Sequence, residues 1–332
     1  MMPPRLIRRP LTITAWMGVA IPCLLLSPLL LSLAWIASRL SGRPQPLAFA
    51  RLTVAYLSRA IVVLCACGLL WVLSGAGRLI DTPRFQRAHW RLVRWLARGV
   101  VGTACAVLEI GEAADPSPDA ERVLRAEAPV LVFSRHAGPA DTFLLVDRLL
   151  SRFGRRPSVV LKGSWALEPS VDLLAHRLPQ AMLDPSDRED SARQIESVAA
   201  ELGPRGALLL FPEGANFTPE RRRSAISKLR RKGRRRAAAR AGELSNVLPP
   251  RPTGALAAIR GNPRADVIFA CHTGLGLAAY PAELWRDLPI GRTVRTRMWH
   301  VPASEVPVDS DEQIAWLNHW WHRLDEWIEA QQ

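Results

Sequence analysis

Cysteine is scarce in this chain and suits neither of its usual structural uses. The five cysteines, Cys23, Cys65, Cys67, Cys105 and Cys271, all lie in apolar runs, and none forms a C-x-x-C pair. A disulfide framework and a cysteine zinc site are therefore excluded as organising features. Lysine is almost absent: Lys162, Lys228 and Lys232 are the only ones, and every other basic side chain is an arginine. Acidic residues are outnumbered 30 to 44, which gives a formal net charge of +14. A surface of that sign favours anionic partners such as lipid head groups, phosphorylated metabolites or nucleic acid. The Arg- and Ala-rich usage fits a GC-rich bacterial genome. No G-x-S-x-G elbow occurs, so the usual nucleophile of an α/β-hydrolase is missing. His319 and His322 share a helical face without further ligand candidates, so no metal site is read there. Internal repeats are also lacking.

Uncharged runs, by contrast, are long. From Ile13 to Ala37 the chain has 25 residues without a charge, enough to cross a bilayer. Pro22 and Pro28 would kink that helix, and Trp16 and Trp35 sit near its ends, where indoles favour the interface. A signal peptide would explain Arg5, Arg8 and Arg9, but the run is too long for one and no small-x-small site follows. The second run, Ala60 to Leu73, is marginal for spanning. Extended to Tyr56 and Leu79 it would span, with Arg59 and Arg78 snorkelling; a re-entrant hairpin is the equal alternative. Arginines flank both sides of each run, so charge alone leaves the orientation open. The expected division is a membrane anchor of one or two helices over residues 1–80 and a larger domain over 81–332.

That larger domain begins with "RFQRAHWRLVRWLARGVVG". Trp90, Val93, Leu96 and Ala97 share one helical face, with Arg87, Arg91, Arg94 and Arg98 opposite. The pattern predicts a basic amphipathic helix lying on anionic lipid, the alternative being an ordinary surface helix of the domain.

Beyond about residue 105 short apolar runs alternate with helix-compatible stretches. "AVLEIG", "PVLVFSRH", "SVVLKG", "GALLLFPEG" and "ADVIFACHTG" read as strands. "ADTFLLVDRLLSRF", with Asp141 as N-cap, and "SDREDSARQIESVAAEL" read as helices. The alternation predicts an α/β fold with a mostly parallel sheet flanked by helices, preceded by N-terminal transmembrane or re-entrant helices. Three strands end in chemistry: "VLVFSRH", "VVLKG" and "LLLFPEG". Sites in such sheets gather beyond the carboxyl ends of strands. If these three are neighbours, His136, Asp141, Lys162 and Glu213 converge on one crevice.

Between His136 and Asp141 the turn contains Gly138 and Pro139, which suit a tight reversal. The carboxylate would fold back onto the imidazole, fix its tautomer and stabilise the imidazolium. The other ring nitrogen could then take a proton from a hydroxyl. Ser134 and Ser164 are near, but nothing sets either as a nucleophile. The hydroxyl is therefore assigned to a substrate, with His136 as general base on an alcohol attacking an acyl donor.

At this point the residues carry a resemblance. "HAGPAD" resembles the H-x4-D motif of the glycerolipid and lysophospholipid acyltransferase superfamily, the PlsC-like 1-acylglycerol-3-phosphate acyltransferases. "FPEGANFT" is similar to that family's F-P-E-G-T-R motif. "LKGSWALEP" resembles its lysine- and proline-containing segment, and "MLDPSDRED" stands at its isoleucine–aspartate–arginine element. "VLPPRPTG" and "DEQIAWLNHWWHRLDEWI" resemble the branch of lysocardiolipin and long-chain lysophospholipid acyltransferases. The similarity covers roughly residues 84 to 330.

The resemblance implies a membrane enzyme of phospholipid biosynthesis, with His136 as base and Asp141 orienting it. Its donor would be a fatty acyl-CoA or acyl-carrier-protein thioester, and its acceptor a lysophospholipid such as lysophosphatidic acid. No cofactor or metal is implied, and no nucleic-acid partner. Pro212, Glu213 and Gly214 would shape and contact the acceptor site, Phe211 would pack beneath, and Lys162 would lie near a phosphate. Arg135 stands where the family often has asparagine. Ala215 and Asn216 stand where it has threonine and arginine, so the residue expected to grip the acceptor phosphate is an amide, and Arg221, Arg222 and Arg223 lie close enough to replace it. The expected location is a bacterial inner membrane with the catalytic domain facing the cytoplasm. Two other classes fit the altered motif: a non-catalytic membrane-binding protein on the same fold, and a lipid hydrolase.

Three features stand outside these motifs. The basic stretch from Arg221 to Arg240 suits anionic lipid, CoA phosphates or a solvated insertion, and lacks the aromatics of nucleic-acid stacking. Trp316, Trp320, Trp321 and Trp327 have helical spacing, expected to pack on the domain rather than seat on the interface. His272 ends a strand and is read as structural, with lining the site as the alternative.

Overall fold

The computed structural model describes residues 4–331 except 139, 185–186 and 276–287. The Pro139 part of the expected turn and two residues of "MLDPSDRED" lie outside the described residues.

Two helices, α1 (Arg5–Leu25) and α2 (Ser27–Ser41), form the first apolar run and are bent by 67° at their junction. The break falls just before Pro28, which has no N–H to continue the ladder. Pro22 is carried inside α1. The second run belongs to α3 (Gln45–Leu73), which extends N-terminally past Tyr56 as expected but ends at Leu73 instead of continuing to Leu79. By length and composition α3 is long and apolar enough to cross a membrane, and the bent pair α1–α2 meets the same test if counted as one span. Leu6, Leu11, Leu25, Leu33, Leu69 and Val72 are all more than half exposed on these helices.

Helix α4 (Pro83–Leu108) is the amphipathic helix, but its apolar face is not available to lipid. Trp90, Leu96 and Ala97 are buried, packed against α3 and the body of the domain, while Arg87, Arg91, Arg94 and Arg98 are exposed. The surface-helix alternative is therefore the one found. "AVLEIG" is a further correction, because α4 runs on through it to Leu108 and ends at Glu109 in the left-handed region. Short apolar runs rich in alanine satisfy helix and strand alike.

Among the described residues the sheet has seven strands, in the order β1-β7-β6-β2-β5-β3-β4. These are β1 (Gly111–Pro116), β2 (Val130–Ser134), β3 (Arg156–Lys162), β4 (Ala181–Leu183), β5 (Gly206–Leu210), β6 (Asp266–His272) and β7 (Thr293–Val301). Neighbours pair in parallel except β6 with β7. Among the described residues the other α-helices are α5 (Pro118–Arg125), α6 (Ala140–Asp147), α7 (Pro169–Ala175), α8 (Arg188–Ala200), α9 (Pro219–Arg231), α10 (Arg235–Glu243), α11 (Pro252–Gly261) and α12 (Ser310–Glu329). The expected α/β fold with a mostly parallel, helix-flanked sheet is thus what the chain adopts.

Strand residues alternate between the two faces, as the period of two requires. Val130 and Val132 pack with Trp90, Leu145 and Leu149; Leu131 and Phe133 pack with Ile195, Ala257 and Trp321. Both faces are covered, so β2, β5 and β6 read as unbroken apolar runs. Trp320 and Trp321 of α12 are buried, with Trp320 stacked on Phe269 at 4.5 Å between centroids. These tryptophans pack on the domain, as expected.

Two arginine clusters hold the architecture together. Arg155 is fully buried and donates to the carbonyls of Val123, Leu124, Ala126, Ala128 and Gly206. Its fork thereby supplies partners to the open carbonyls at the end of α5. On the side of the N-terminal helices, Asp172 of α7 accepts from Arg8 at 2.6 Å and Arg9 at 2.8 Å, and also faces His176. That pair ties α1 to the domain across 164 residues of sequence.

Candidate active site

Strands β2 and β5 are hydrogen-bonded neighbours with Phe133 opposite Leu210, and β3 lies on the far side of β5. The three strand ends that carry chemistry are therefore side by side, as expected. His136 stands just past the end of β2 and Phe211 just past the end of β5. Their rings stack, with centroids 4.5 Å apart and planes at 30°.

Asp141 lies inside the first turn of α6, not at its cap. Its side chain reaches back to the preceding turn, where Oδ2 accepts from Ala137 N at 2.5 Å, Gly138 N at 2.8 Å and His136 Nδ1 at 3.1 Å. A carboxylate can only accept, so Nδ1 carries the imidazole proton. Nε2 is left as the basic nitrogen on a ring whose side chain is 22% exposed, while Asp141 is fully buried. Burial alone would raise the Asp141 carboxyl, but His272 and His136 outweigh it and hold the group well below the usual carboxylate range.

Glu213 is placed behind the site rather than in it. It is buried, with Oε1 accepting from His136 N at 2.8 Å and Oε2 from Leu248 N at 2.9 Å. Burial pushes its carboxyl up to about 8, against the pull of Arg135 and the two N–H groups. Arg135 is also behind the site, donating from Nη1 to His272 O at 2.6 Å and from Nη2 to Asn246 O at 3.1 Å. Both residues were expected at the substrate. Their polar ends are instead consumed by backbone that fixes the loops.

The Phe211–Gly214 turn closes with Gly214 N donating to Phe211 O, and Gly214 holds φ +68°. A Cβ at Gly214 would lie 3.2 Å from Arg251 Nη1, so the glycine lets that guanidinium lie over the turn. Pro212 is buried, and its carbonyl accepts from Arg251 N at 2.8 Å. Asn216 accepts from Arg221 Nη1 through both its backbone carbonyl and its side-chain oxygen. The amide that replaces the expected arginine thus holds another arginine. Lys162, at the end of β3, is lowered from the ordinary lysine value by partial burial first and then by Arg221 and Arg251. Three cations therefore gather beside the Phe211–Gly214 turn.

An apolar cavity of about 110 Å³ opens next to these elements, lined by Trp90, Leu96, Phe143, Val159, Leu161 and Leu174 among others. Phe143 follows Asp141 on α6 and Leu161 precedes Lys162 on β3, so the cavity borders the site. Among the described residues no three His, Cys, Asp or Glu side chains group as metal ligands.

His272 is the residue whose position the sequence left unsettled. It is fully buried at the end of β6, and its Nε2 stands 3.5 Å from Asp141 Oδ1.

Residues 119–252, which hold all of these site residues except His272, match the model of the Acyltransferase family. No curated protein matches the chain in sequence. Among solved structures it is similar to the 1-acyl-sn-glycerophosphate (LPA) acyltransferase PlsC from Thermotoga maritima, at 12% identity and a TM-score of 0.49, over 82% of this chain and 97% of that one. The segment that builds the site is thus acyltransferase-like by its family match.

Proposed function

We propose that the protein is a membrane-bound O-acyltransferase that moves a fatty acyl group from an acyl-CoA or acyl-carrier-protein thioester to the hydroxyl of a lysophospholipid-type acceptor such as lysophosphatidic acid. One observation carries this reading: a partly exposed His136 whose Nδ1 is held by a buried carboxylate, within the segment that matches acyltransferases. His136 Nε2 takes the proton of the acceptor hydroxyl as its oxygen attacks the thioester carbonyl. The C–S bond breaks, and the imidazolium returns the proton to the departing thiolate. Asp141 keeps the ring in the competent tautomer and stabilises its charge; general-base help of this kind contributes about 10²- to 10⁴-fold.

The other parts of the site suit such substrates. Lys162, Arg221 and Arg251 offer positive charge to a phosphate, with Arg221 taking the place of the family's arginine. The apolar cavity suits an alkyl chain. Exposed leucines on α1–α3 suit a bilayer, and we place the domain at the cytoplasmic face of a bacterial inner membrane.

The test is acceptor dependence in membranes containing the full chain. Free thiol released from a long-chain acyl-CoA is followed with lysophosphatidic acid, other lysophospholipids, or no acceptor. Thiol release that requires a lysolipid, with an esterified product, supports transfer. Fatty acid released at the same rate without an acceptor indicates a hydrolase, and no turnover with any acceptor indicates a non-catalytic lipid-binding protein.

A further inference from the structure

Asp141 is asymmetrically served. Its Oδ2 accepts from Ala137 N, Gly138 N and His136 Nδ1. Its Oδ1 is buried and accepts no hydrogen bond among the described residues. The group that faces Oδ1 is the imidazole of His272, whose Nε2 is 3.5 Å away; both side chains are fully buried. Neither ring nitrogen of His272 has a hydrogen-bond partner among the described residues.

The backbone makes this juxtaposition reproducible. Strands β2 and β6 are parallel neighbours with Ser134 opposite Ala270. His136 and His272 each lie two residues beyond that pair, so they leave adjacent strands at the same level. Asp141 returns between them from the first turn of α6. The His272 carbonyl is held by Arg135 Nη1 at 2.6 Å, and the strand continues its ladder to β7 with His272 opposite Thr296. The imidazole is thus carried on rigid sheet, not on a loop.

We infer that His272 is a positioning residue: its Nε2 holds Asp141 Oδ1 and thereby keeps Oδ2 turned toward His136. An ionised carboxylate in a buried site is costly when one oxygen is unaddressed. A carboxylate free to turn about its last bond would also lose the alignment that selects the His136 tautomer. With His272 in place the array runs His272–Asp141–His136, and only the last member reaches the exposed side. His272 touches no substrate and acts through Asp141 alone.

The role rests on the proposed function, in which His136 is the base, so the experiment carries one readout that needs no turnover. Full-length protein labelled with ¹⁵N-histidine in lipid nanodiscs is compared as wild type, His272→Ala and His272→Gln. The readout is the exchange-protected Nδ1 proton of His136. The same samples are assayed with a long-chain acyl-CoA and lysophosphatidic acid, and thermal unfolding verifies that each is folded. His272→Ala is expected to lose the His136 proton signal and to lower kcat by about 10- to 100-fold, the range for removing an orienting outer partner. KM should stay within about twofold, since no substrate contact is lost. His272→Gln, which restores an N–H donor of similar reach, should recover most of both. In an Asp141→Asn background His272→Ala should add no further loss, because the two act as one unit.

A folded His272→Ala protein that keeps the His136 proton and full kcat overturns the inference. So does a loss that multiplies with that of Asp141→Asn, or one that His272→Gln does not relieve. If His272→Ala fails to fold, His272→Gln set against His272→Met, which fills the site without an N–H donor, decides the same question. A wild type that turns over nothing counts against the proposed function only, and the proton signal still decides the role of His272.

Discussion

Glu213 holds the backbone of His136: one carboxyl oxygen accepts the His136 N–H at 2.8 Å, and the other accepts the Leu248 N–H at 2.9 Å. A single buried side chain therefore joins the loop that carries His136 to the segment leading into α11. Phe217 N adds a second tie by donating to the His136 carbonyl at 2.7 Å.

The Glu213 carboxyl is raised by burial to about 8, from an ordinary value of 4.5. Between those values the folded chain binds a proton that the unfolded chain does not. Stability from this group is therefore full below pH 4.5 and is lost as pH rises through about 8. Denaturation midpoints of the wild type should fall from pH 5 to pH 8 more steeply than those of Glu213→Gln. Equal slopes in the two proteins would remove Glu213 as the source. Glu213→Ala should cost about 1–3 kcal/mol for each buried N–H left unpaired.

Asp172 shows the opposite sign. Burial would raise it, but His176 and Arg9 bring it down to about 2. Its contribution is present above the ordinary value of 3.8 and is lost as pH falls through about 2. Asp172→Ala leaves Arg8 buried without its partner, at a cost of about 3–5 kcal/mol. The expected result at neutral pH is trypsin cleavage after Arg8 in the variant, the Arg9–Pro10 bond being resistant to trypsin, and no cleavage in the wild type, with the full chain in nanodiscs. Equal resistance would show that α1 is held by other contacts.

Arg155 separates stability from activity. Arg155→Met abandons five carbonyls, several of them at the end of α5. We expect a loss of about 3 kcal/mol or more in denaturant unfolding. Turnover per folded molecule should be unchanged, because Arg155 sits at the amino ends of β3 and β5, opposite the strand ends that carry the site.

For the three cations the discriminating variable is the acceptor's charge. Lys162→Ala and Arg251→Ala should each raise KM for lysophosphatidic acid by about 10-fold, the scale of one charge-assisted hydrogen bond. With monoacylglycerol, which has no phosphate, KM should be unaffected. The same rise with both acceptors would place the cations on the donor instead.

Much of the site was legible because its groups are close in sequence or end apolar strands. His136 and Asp141 lie five residues apart, and "FPEG" ends a run that alternates cleanly between two packed faces. What escaped was orientation and partnership over long separations. Glu213 and Arg135 carry charges usually read as substrate contacts, yet their partners are backbone groups 77 and 137 residues away. His272 meets Asp141 only because β6 lies beside β2. Strand β7 was missed because Arg295 and Arg297 interrupt its apolar residues; the signal was the inward alternation of Val294, Thr296 and Met298. For α4 the arginine face was legible, but no pattern within one helix says whether its other face meets lipid or protein.

In the proposed transfer His136 removes the acceptor's proton. This step is tested most directly by transfer of a radiolabelled acyl group from acyl-CoA to a lysophospholipid, comparing purified full-length wild type with His136→Ala at equal folded protein. Labelled phospholipid is expected from the wild type, with a rate at least about 100-fold lower from His136→Ala. Equal rates from the two proteins would contradict this role of His136.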